Sequence, residues 1–363
     1  MIVEVGIIAA KTLLVLFMVL NLAGFMGWIE RKGSALIQDR IGANRASVFG
    51  FAGLGLVNTL LADPLKFLTK EDFIPPGGDR LLHTLAPCLA LFTALVVFAV
   101  IPFGDVLKIG EREINLQVAN VNVGVLYLFA MASLGVYGVV IGAWASNNKF
   151  SLLGGVRGSA QMISYEIAMG LSVMGILMIY ETLELQEIVR GQGSILWGWL
   201  PAWGIVLQPV AFFLFFTAAV AESKRIPFDL PEGESELVAG FHTEYSGGKF
   251  LMFFAGEFAE MVTAAGVITT LFFGGWQVPF LMRDGFHFPW GNILPLPNLT
   301  VAALQVGAFT LKVIFFCWLF ILLRWTLPRF RYDQVMRLGW KMLLPFALVN
   351  IIVTAVVMIA LGK

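Results

Sequence analysis

The residues best suited to chemistry lie in one stretch between two apolar segments, AESKRIPFDLPEGESELVAGFHTEYSGGKF at 221–250. Away from bulk water each ionised carboxylate costs free energy, so a largely lipid-soluble chain is expected to use acids that it holds this densely. These side chains can accept, hold and release protons. The acids of the stretch are Glu222, Asp229, Glu232, Glu234, Glu236 and Glu244.

The local sequence of this stretch indicates how the acids are presented. Pro227 and Pro231 forbid an uninterrupted helix, because proline lacks the backbone donor. Glu232, Glu234 and Glu236 then alternate, so an extended segment would turn all three toward one side. The pattern favours a wet acidic funnel that opens into the membrane over a simple solvated surface.

Five further charged residues lie inside apolar runs, where ionised groups are costly. Glu166 must be protonated, paired or wetted, which suits a proton carrier, whereas a neutral carboxyl used for packing is the alternative. Glu257 and Glu260 share a helix face, so we expect coupled titrations, with Lys312 as their counter-charge. Lys11 is nearer a helix end and either functions or snorkels to the interface.

Composition defines the class of protein that must position these groups. The chain has 363 residues, of which 58% are hydrophobic and only 13% charged, against about 25% charged in soluble domains. We therefore predict an all-α polytopic membrane protein. The net charge of zero gives no sign of a nucleic-acid partner.

Cys88 and Cys317 are too far apart for a CxxC metal site, and no nucleotide-binding glycine motif or paired histidine is present. The sequence therefore predicts no metal and no redox centre in this chain.

Eight apolar runs reach the length of about 20 residues that a membrane-crossing helix needs. Lys and Arg are concentrated in the odd-numbered loops, which places those loops in the cytoplasm and both termini outside. Segment 49–70 is apolar but broken by glycines and Pro64, which favours an amphipathic or partner-facing helix over a mobile loop. The whole chain forms one predicted transmembrane domain. Its spans are 3–28, 80–103, 119–145, 152–180, 198–221, 250–275, 299–323 and 340–361.

Longer motifs along the chain are more specific than its composition. They are WIERK (28–32), RIGANR (40–45), KED (70–72), AWASNNKFSLLG (143–154), ISYE (163–166), AESKRIPFDLPEGESELVAGFHTEYS (221–246), FFGGW (272–276) and LPRFRYDQVMRLGWK (327–341). Through these motifs, which cover nearly the whole chain, it resembles a family of quinone-binding membrane subunits, the H-type subunits of proton-translocating NADH:quinone oxidoreductase, or respiratory complex I.

The resemblance implies a tilted bundle of eight transmembrane helices that forms most of a quinone tunnel. It also implies an acidic path that couples quinone reduction to proton translocation. The tunnel residues implied are Trp28, Glu30, Arg31, Arg40, Asp63, Lys66, Arg225, Phe228, Tyr245, Arg324, Arg331, Tyr332 and Asp333. The path residues implied are Glu166, Glu222, Asp229, Glu232, Glu234, Glu236, Glu244, Glu257, Glu260 and Lys312.

The resemblance further implies an enzyme subunit without a catalytic residue of its own. Quinone, either ubiquinone or menaquinone, would be the substrate, and FMN and iron–sulfur clusters would belong to partner subunits. The implied partners are peripheral-arm subunits at the cytoplasmic face, small membrane subunits, antiporter-like proton-pumping subunits and the lipid bilayer, and the implied location is the bacterial inner membrane. Phe150, Phe241 and Phe258 stand where many relatives have Tyr, so each lacks a hydroxyl.

Other classes of function remain open at this level. A homologous membrane subunit of an energy-converting hydrogenase would need no quinone tunnel, and a ferredoxin-dependent relative would differ in its electron donor. A secondary transporter should show inverted internal repeats, of which the sequence has none that we detect. A purely structural anchor for the peripheral arm would leave Glu166 and Glu257 without an explanation.

Overall fold

The protein is mostly helical, as the composition predicts. The computed structural model describes residues 2–51, 53–110, 112–196, 199–288, 291 and 293–362. Within these ranges, seven helical segments are long and apolar enough to cross a membrane, which confirms the predicted fold class. The helices are α1 Ile2–Ile37, α2 Asp63–Thr69, α3 Arg80–Val96, α4 Gly124–Ser133, α5 Gly135–Ala145, α6 Lys149–Tyr180, α7 Leu185–Gly191, α8 Gly204–Leu207, α9 Pro209–Glu222, α10 Glu234–Leu237, α11 Gly247–Phe272, α12 Asn298–Thr326, α13 Tyr332–Leu338 and α14 Leu344–Ala360.

Two of the long helices begin at side-chain caps. The Asp79 carboxylate accepts hydrogen bonds from the first backbone N–H groups of α3, and the Asn148 side chain does the same for α6. At 36 residues α1 is about 54 Å long, which exceeds the roughly 30 Å of a hydrocarbon core. The helix therefore extends beyond the core, and its last turns carry Glu30 and Arg31.

The fifth predicted span, 198–221, is not one helix. Residues Leu200–Pro201 form a strand, α8 has four residues, and Pro209 starts a separate α9 of 14 residues. Proline at this position removes a helical hydrogen bond and clashes with the preceding turn. The side chain of Gln208 at the break donates to Thr354 Oγ1 at 2.8 Å and accepts from Asn350 at 3.0 Å, so α14 satisfies its polar groups.

The predicted amphipathic segment 49–70 is helical over most of its described length, beginning with a 3₁₀ turn at Gly53–Gly55; residue 52 lies outside the described residues. A π-helical turn at Asn58–Ala62 continues into α2, which ends at Thr69. Leu65 and Leu68 are exposed on α2, so an apolar surface remains for lipid or for a partner.

Short antiparallel strands connect the helices at one end of the bundle. They are β1 Val106–Ile109 with β2 Arg112–Asn115, β3 Ile195–Leu196 with β4 Leu200–Pro201, and the sheet of β5 Leu281–Met282, β6 Gly285–His287 and β7 Ile293–Pro295. Buried Asp105 ties these connections together, since it pairs with Arg190 at 2.7 Å and with Arg283 at 2.8 Å. Lys11 donates to the backbone oxygens of Asn115 and Gln117, at 3.3 and 2.8 Å, which fixes the start of α1 here. The structure therefore gives Lys11 a structural contact.

Helix α11 lies at the centre of the molecule. It packs against α3, α12 and α1, while α6 packs against α5, α9 and α14. By contrast, much of α1 and α14 faces outward with large apolar side chains such as Phe17 and Ile359, as expected for surfaces covered by lipid or by other subunits. Acids placed on the inward face of α11 are therefore held away from bulk water.

Candidate functional site: a buried network of acids and cations

Arg225, which follows the end of α9, is the centre of a buried ion network. Its Nη1 donates to Glu30 Oε2 at 2.7 Å, and its Nε lies 3.0 Å from Glu257 Oε1. Arg324 pairs with the other oxygen of Glu30 at 2.7 Å, and the Arg225 guanidinium lies 4.1 Å from the Phe258 ring centre. Burial alone would lower the pKa of Arg225, but the charges of Glu257 and Glu30 raise it, so the guanidinium stays charged.

The next part of the loop adds a buried acid, Asp229, and a half-buried acid, Glu232, with different surroundings. Asp229 Oδ2 pairs with Arg329 at 2.9 Å, whereas Glu232 Oε1 lies 3.2 Å from His242 Nδ1. Burial raises the pKa of Asp229 to about 7, and the charge of Glu232 adds to this while Arg329 opposes it. Burial also acts to raise the pKa of Glu232, but the hydrogen bond and charge of His242 together with the charges of Arg324 and Arg225 lower that pKa overall. Two neighbouring carboxyls are thus biased toward opposite protonation states.

We predict that Asp229 changes its protonation state near neutral pH. Because its folded pKa lies above its ordinary value, the bound proton stabilises the folded form at acid pH, and that contribution is lost as the pH rises to about 7. An infrared titration of the purified complex should show a carboxylic C=O band that disappears around pH 7 and is missing in Asp229→Asn. A band unchanged by that substitution would contradict the prediction.

A small polar cavity joins Glu232 to acids inside the bundle. The cavity is about 10 Å³ and is lined by Glu232, His242, Glu257, Glu260 and Lys224, together with apolar side chains. This is the lower limit of the space that one water molecule requires. Lys224 Nζ pairs with Glu260 at 2.7 Å, so Glu260 has its own cation while Glu257 has Arg225.

A second cavity begins at Glu260 and continues between α6, α9 and α11. It has a volume of about 70 Å³, its lining is mainly apolar, and Glu222, Ser223 and Thr263 are among its polar lining residues. Met162 and Met169 of α6 also line it, and Glu166 between them is spaced to share their helix face. Glu166 is half-buried and lies within electrostatic range of Glu222. Glu260 is therefore the residue common to both cavities.

The three alternating glutamates do not face one way, which corrects the prediction from their spacing. Gly233 adopts a left-handed conformation with φ +43°, and α10 begins directly after it, so the segment is not extended. Glu232 points into the protein, while Glu236 is exposed and pairs with Arg157 at 2.5 Å. Glu234 is also exposed, 3.6 Å from Arg329. These two acids, with Glu244, which accepts from Asn148 at 2.6 Å, form the rim of the site.

Lys312 does not pair with Glu257 or Glu260, so the predicted counter-charge is wrong. Its Nζ donates to three backbone carbonyl oxygens just after α11, those of Phe273, Gly275 and Gln277, at 2.8, 2.9 and 2.7 Å. A cation is favourable there because the carbonyl groups at a helix C-terminus lack partners and carry partial negative charge.

We expect Lys312→Met to destabilise the protein by about 1–3 kcal/mol, because three carbonyl groups lose their donor. The thermal unfolding midpoint of the purified complex should fall. Lys108→Met is the matched control, since the Lys108 side chain forms an exposed pair with Glu113 and exposed pairs contribute little. A normal midpoint combined with lost proton pumping would contradict this structural role.

The residues predicted to line a quinone tunnel are only partly brought together. Glu30, Arg225 and Arg324 form one network, and Phe228 packs on Phe330 at 5.5 Å beside it. Trp28 stacks on Phe25 at 5.2 Å, and Arg31 pairs with Asp63 of α2. The remaining predicted tunnel residues are Tyr245, stacked on His83 at 4.1 Å; Tyr332, whose ring faces Arg157; the exposed pair of Arg331 and Asp333; and the exposed Arg40 and Lys66.

Several residues of the site were missed by reasoning from the sequence. Lys224, Ser223 and Arg329 stand beside residues that the motifs singled out, so their adjacency was the available signal. His242 lies ten residues after Glu232, and no regular spacing relates them. The contact depends on the turn through Gly240, whose φ is +54° and whose Cα lies too close to Pro231 for a side chain.

Together, the apolar helices and this buried network define a multi-pass membrane protein. Its titratable groups lie at one end of the helix bundle and continue from there into the interior. Among the residues that the structure describes, no three His, Cys, Asp or Glu side chains come together as a metal site.

Comparison with known proteins identifies the family. A sequence model for a family described as NADH dehydrogenase matches residues 10–355. An H-type NADH-quinone oxidoreductase subunit of Geobacter metallireducens is 48% identical over 351 residues, which cover 97% of this chain and 96% of that protein. The corresponding subunit of Bdellovibrio bacteriovorus is 42% identical over 378 residues, covering 98% and 96% of the two chains. The chain belongs to the family of H-type subunits of NADH-quinone oxidoreductase. It is a membrane subunit of that multi-subunit translocase, and other subunits of the complex are its partners.

Proposed function

We propose that this chain couples quinone reduction to proton translocation through a path of buried acids. The observation that carries the proposal is the position of Glu260, which lines both the cavity with Glu232 and Glu257 and the cavity with Glu222. Carboxyl groups separated by water-sized spaces can exchange protons in steps. The path would begin at the rim acids Glu234, Glu236 and Glu244 and at Asp229, continue through Glu232, Glu257 and Glu260, and end at Glu222 and Glu166. Lys312 is not included.

The quinone tunnel would lie where the cytoplasmic end of α1, the α2 helix and the loop after α9 approach α12. Aromatic faces such as Trp28 and Phe228 suit a quinone ring, and the Arg31–Asp63 pair lines the side toward α2. The tunnel would be completed by partner subunits, which would account for predicted tunnel residues such as Arg40 and Arg331 that are exposed in this chain.

The coupling would be electrostatic. Reduction of a quinone to a quinol takes two electrons and two protons, and an intermediate that lacks its protons adds negative charge beside the network. Two unit charges 4 Å apart interact by about 4 kcal/mol at an effective dielectric constant of 20. A shift of one pKa unit is about 1.4 kcal/mol, so such a change is enough to move protons between neighbouring carboxyls.

The partners and location that complete this function follow from the same proposal. Peripheral-arm subunits with FMN and iron–sulfur clusters would deliver the electrons from NADH at the cytoplasmic face. Small membrane subunits and antiporter-like subunits would receive the protonation signal. The concentration of Lys and Arg in the loops at the site end supports a cytoplasmic site, with both termini on the periplasmic side of a bacterial inner membrane.

The direct test of the path is Glu222→Gln in the intact complex reconstituted into liposomes. We expect NADH-driven quinone reduction and proton pumping to fall together by about tenfold or more, since a required proton carrier is removed. NADH oxidation by ferricyanide should be unchanged, because it uses only partner subunits. Glu187→Gln at the other end of the bundle is the matched control. Full coupled pumping in Glu222→Gln would contradict the proposal.

A further inference from the structure

His242 is a buried histidine that has one ring nitrogen engaged and one without a partner. It ends the turn Gly240–His242 and is only 8% exposed. Its Nδ1 lies 3.2 Å from Glu232 Oε1, and its ring packs between Phe250 and Phe253 with centroid distances of 5.5 and 5.3 Å. The two ring nitrogens therefore have different surroundings.

The second ring nitrogen of His242, Nε2, has no partner among the described residues to account for its burial. His242 Nε2 is buried and makes no hydrogen bond within the part of the chain that the structure describes. The same residue lines the cavity of about 10 Å³ that also contains Lys224, Glu257 and Glu260. Because buried polar atoms are almost always satisfied, a water in this cavity is the natural partner for Nε2.

We propose that His242 relays protons between Glu232 and the two glutamates of α11, an inference that rests on the proposed acidic path. An imidazole can accept a proton at one nitrogen and release another from the opposite one. The O–H bond of protonated Glu232 breaks as an N–H bond forms at Nδ1. The N–H bond at Nε2 breaks, and through the cavity water a new O–H bond forms on Glu257 or Glu260. No electrons change hands. The transfer leaves the ring with its proton on Nδ1, so a second transfer in the same direction requires the ring to turn over, whereas reverse transfer returns the proton to Glu232.

Three acids and one cation face the His242 ring, an arrangement that suits a proton relay. Glu232 belongs to the same loop, Glu257 and Glu260 to α11, and Lys224 to the segment after α9. The pair of Lys224 and Glu260 brings one positive charge beside one of the acceptors. The competing role for His242 is packing alone, which a phenylalanine ring would fulfil as well.

The experiment uses the intact complex in liposomes with the variants His242→Asn, which can still hydrogen-bond to Glu232, and His242→Phe, which keeps the ring. We expect both to reduce NADH-driven reduction of a short-chain ubiquinone by about tenfold or more. In His242→Asn the remaining rate should depend more steeply on pH and show a larger D₂O effect than in the wild type. NADH oxidation by ferricyanide should be unchanged. His287→Asn, the same change at the other end of the bundle, should keep both rates and the pH profile.

Wild-type quinone reduction in His242→Phe would overturn the relay, because packing alone would then suffice. Glu260→Gln, measured alongside, separates the two proposals. If quinone reduction is slow in Glu260→Gln but normal in His242→Asn, the relay through His242 is excluded and the acidic path is kept. If quinone reduction is normal in Glu260→Gln, the acidic path itself is excluded. If either histidine variant fails to assemble, His242→Gln serves as its replacement, with the same expected loss and the same contradicting result.

Discussion

Replacing Arg225 by Gln is expected to remove most of the assembled complex. The side chain is 1% exposed and is the cation nearest Glu257, whose own side chain is 10% exposed. Removal of one partner from a buried ion pair leaves an uncompensated charge and costs about 3–5 kcal/mol. That is a large share of the roughly 5–15 kcal/mol by which proteins are stable. The measurement is the amount of this chain in the purified complex, together with its thermal unfolding midpoint.

The partners of Arg225 supply the controls. Glu30 keeps Arg324 when Arg225 is lost, whereas Glu257 keeps no ion-pair partner among the described residues. The double variant Arg225→Gln/Glu257→Gln should therefore recover part of the lost assembly. Arg331→Gln, which breaks an exposed pair with Asp333, should assemble normally. Normal assembly of Arg225→Gln would show that this network does not stabilise the fold.

Replacing Glu260 by Gln is expected to abolish coupled turnover while the complex still assembles. Gln keeps the size and can still accept a hydrogen bond from Lys224, but it cannot carry a proton. Since Glu260 is shared by the two cavities, no described carboxyl replaces it at that position. Loss of a proton carrier costs about 10²–10⁴ in rate, so quinone reduction and proton pumping should fall by at least the lower factor.

Two variants make this result specific. Glu113→Gln changes an exposed acid paired with Lys108, and it should leave both rates unchanged. Lys224→Met removes the cation beside Glu260 and should also slow coupled turnover, because Glu260 then loses its ion-pair partner. If Glu260→Gln slowed quinone reduction but pumped the normal number of protons per NADH, Glu260 would belong to the quinone site and not to a proton path.

The broad fold could be predicted because membrane helices are specified by local composition. Runs of about 20 apolar residues are sufficient to place α1, α6, α11 and α12. The fifth span was mispredicted because a hydropathy average does not register one proline. Pro209 and the polar Gln208 at the break were visible in the sequence, but their satisfaction by Asn350 and Thr354 of α14 is a tertiary contact.

The residues that belong to the site were easier to predict than the ion pairs that they form. Acids in an apolar chain stand out, and Glu222, Glu232, Glu257 and Glu260 do line the two cavities. The ion pairs of the site could not be assigned from the sequence, because partners can be far apart in the chain. Arg225 and Glu30, for example, are 195 residues apart. The partners of Lys312 could not be predicted either, because they are backbone carbonyl groups, which every residue carries.

The proposed path requires water to connect the carboxyl groups from Glu232 to Glu222 inside an apolar bundle. A map of the intact complex at a resolution that shows ordered water would reveal whether it does. We expect at least one water in the cavity that Glu232, Glu257 and Glu260 share, and several between Glu260 and Glu222. Two cavities that are dry, or closed by lipid tails or by apolar side chains of a partner subunit, would contradict it.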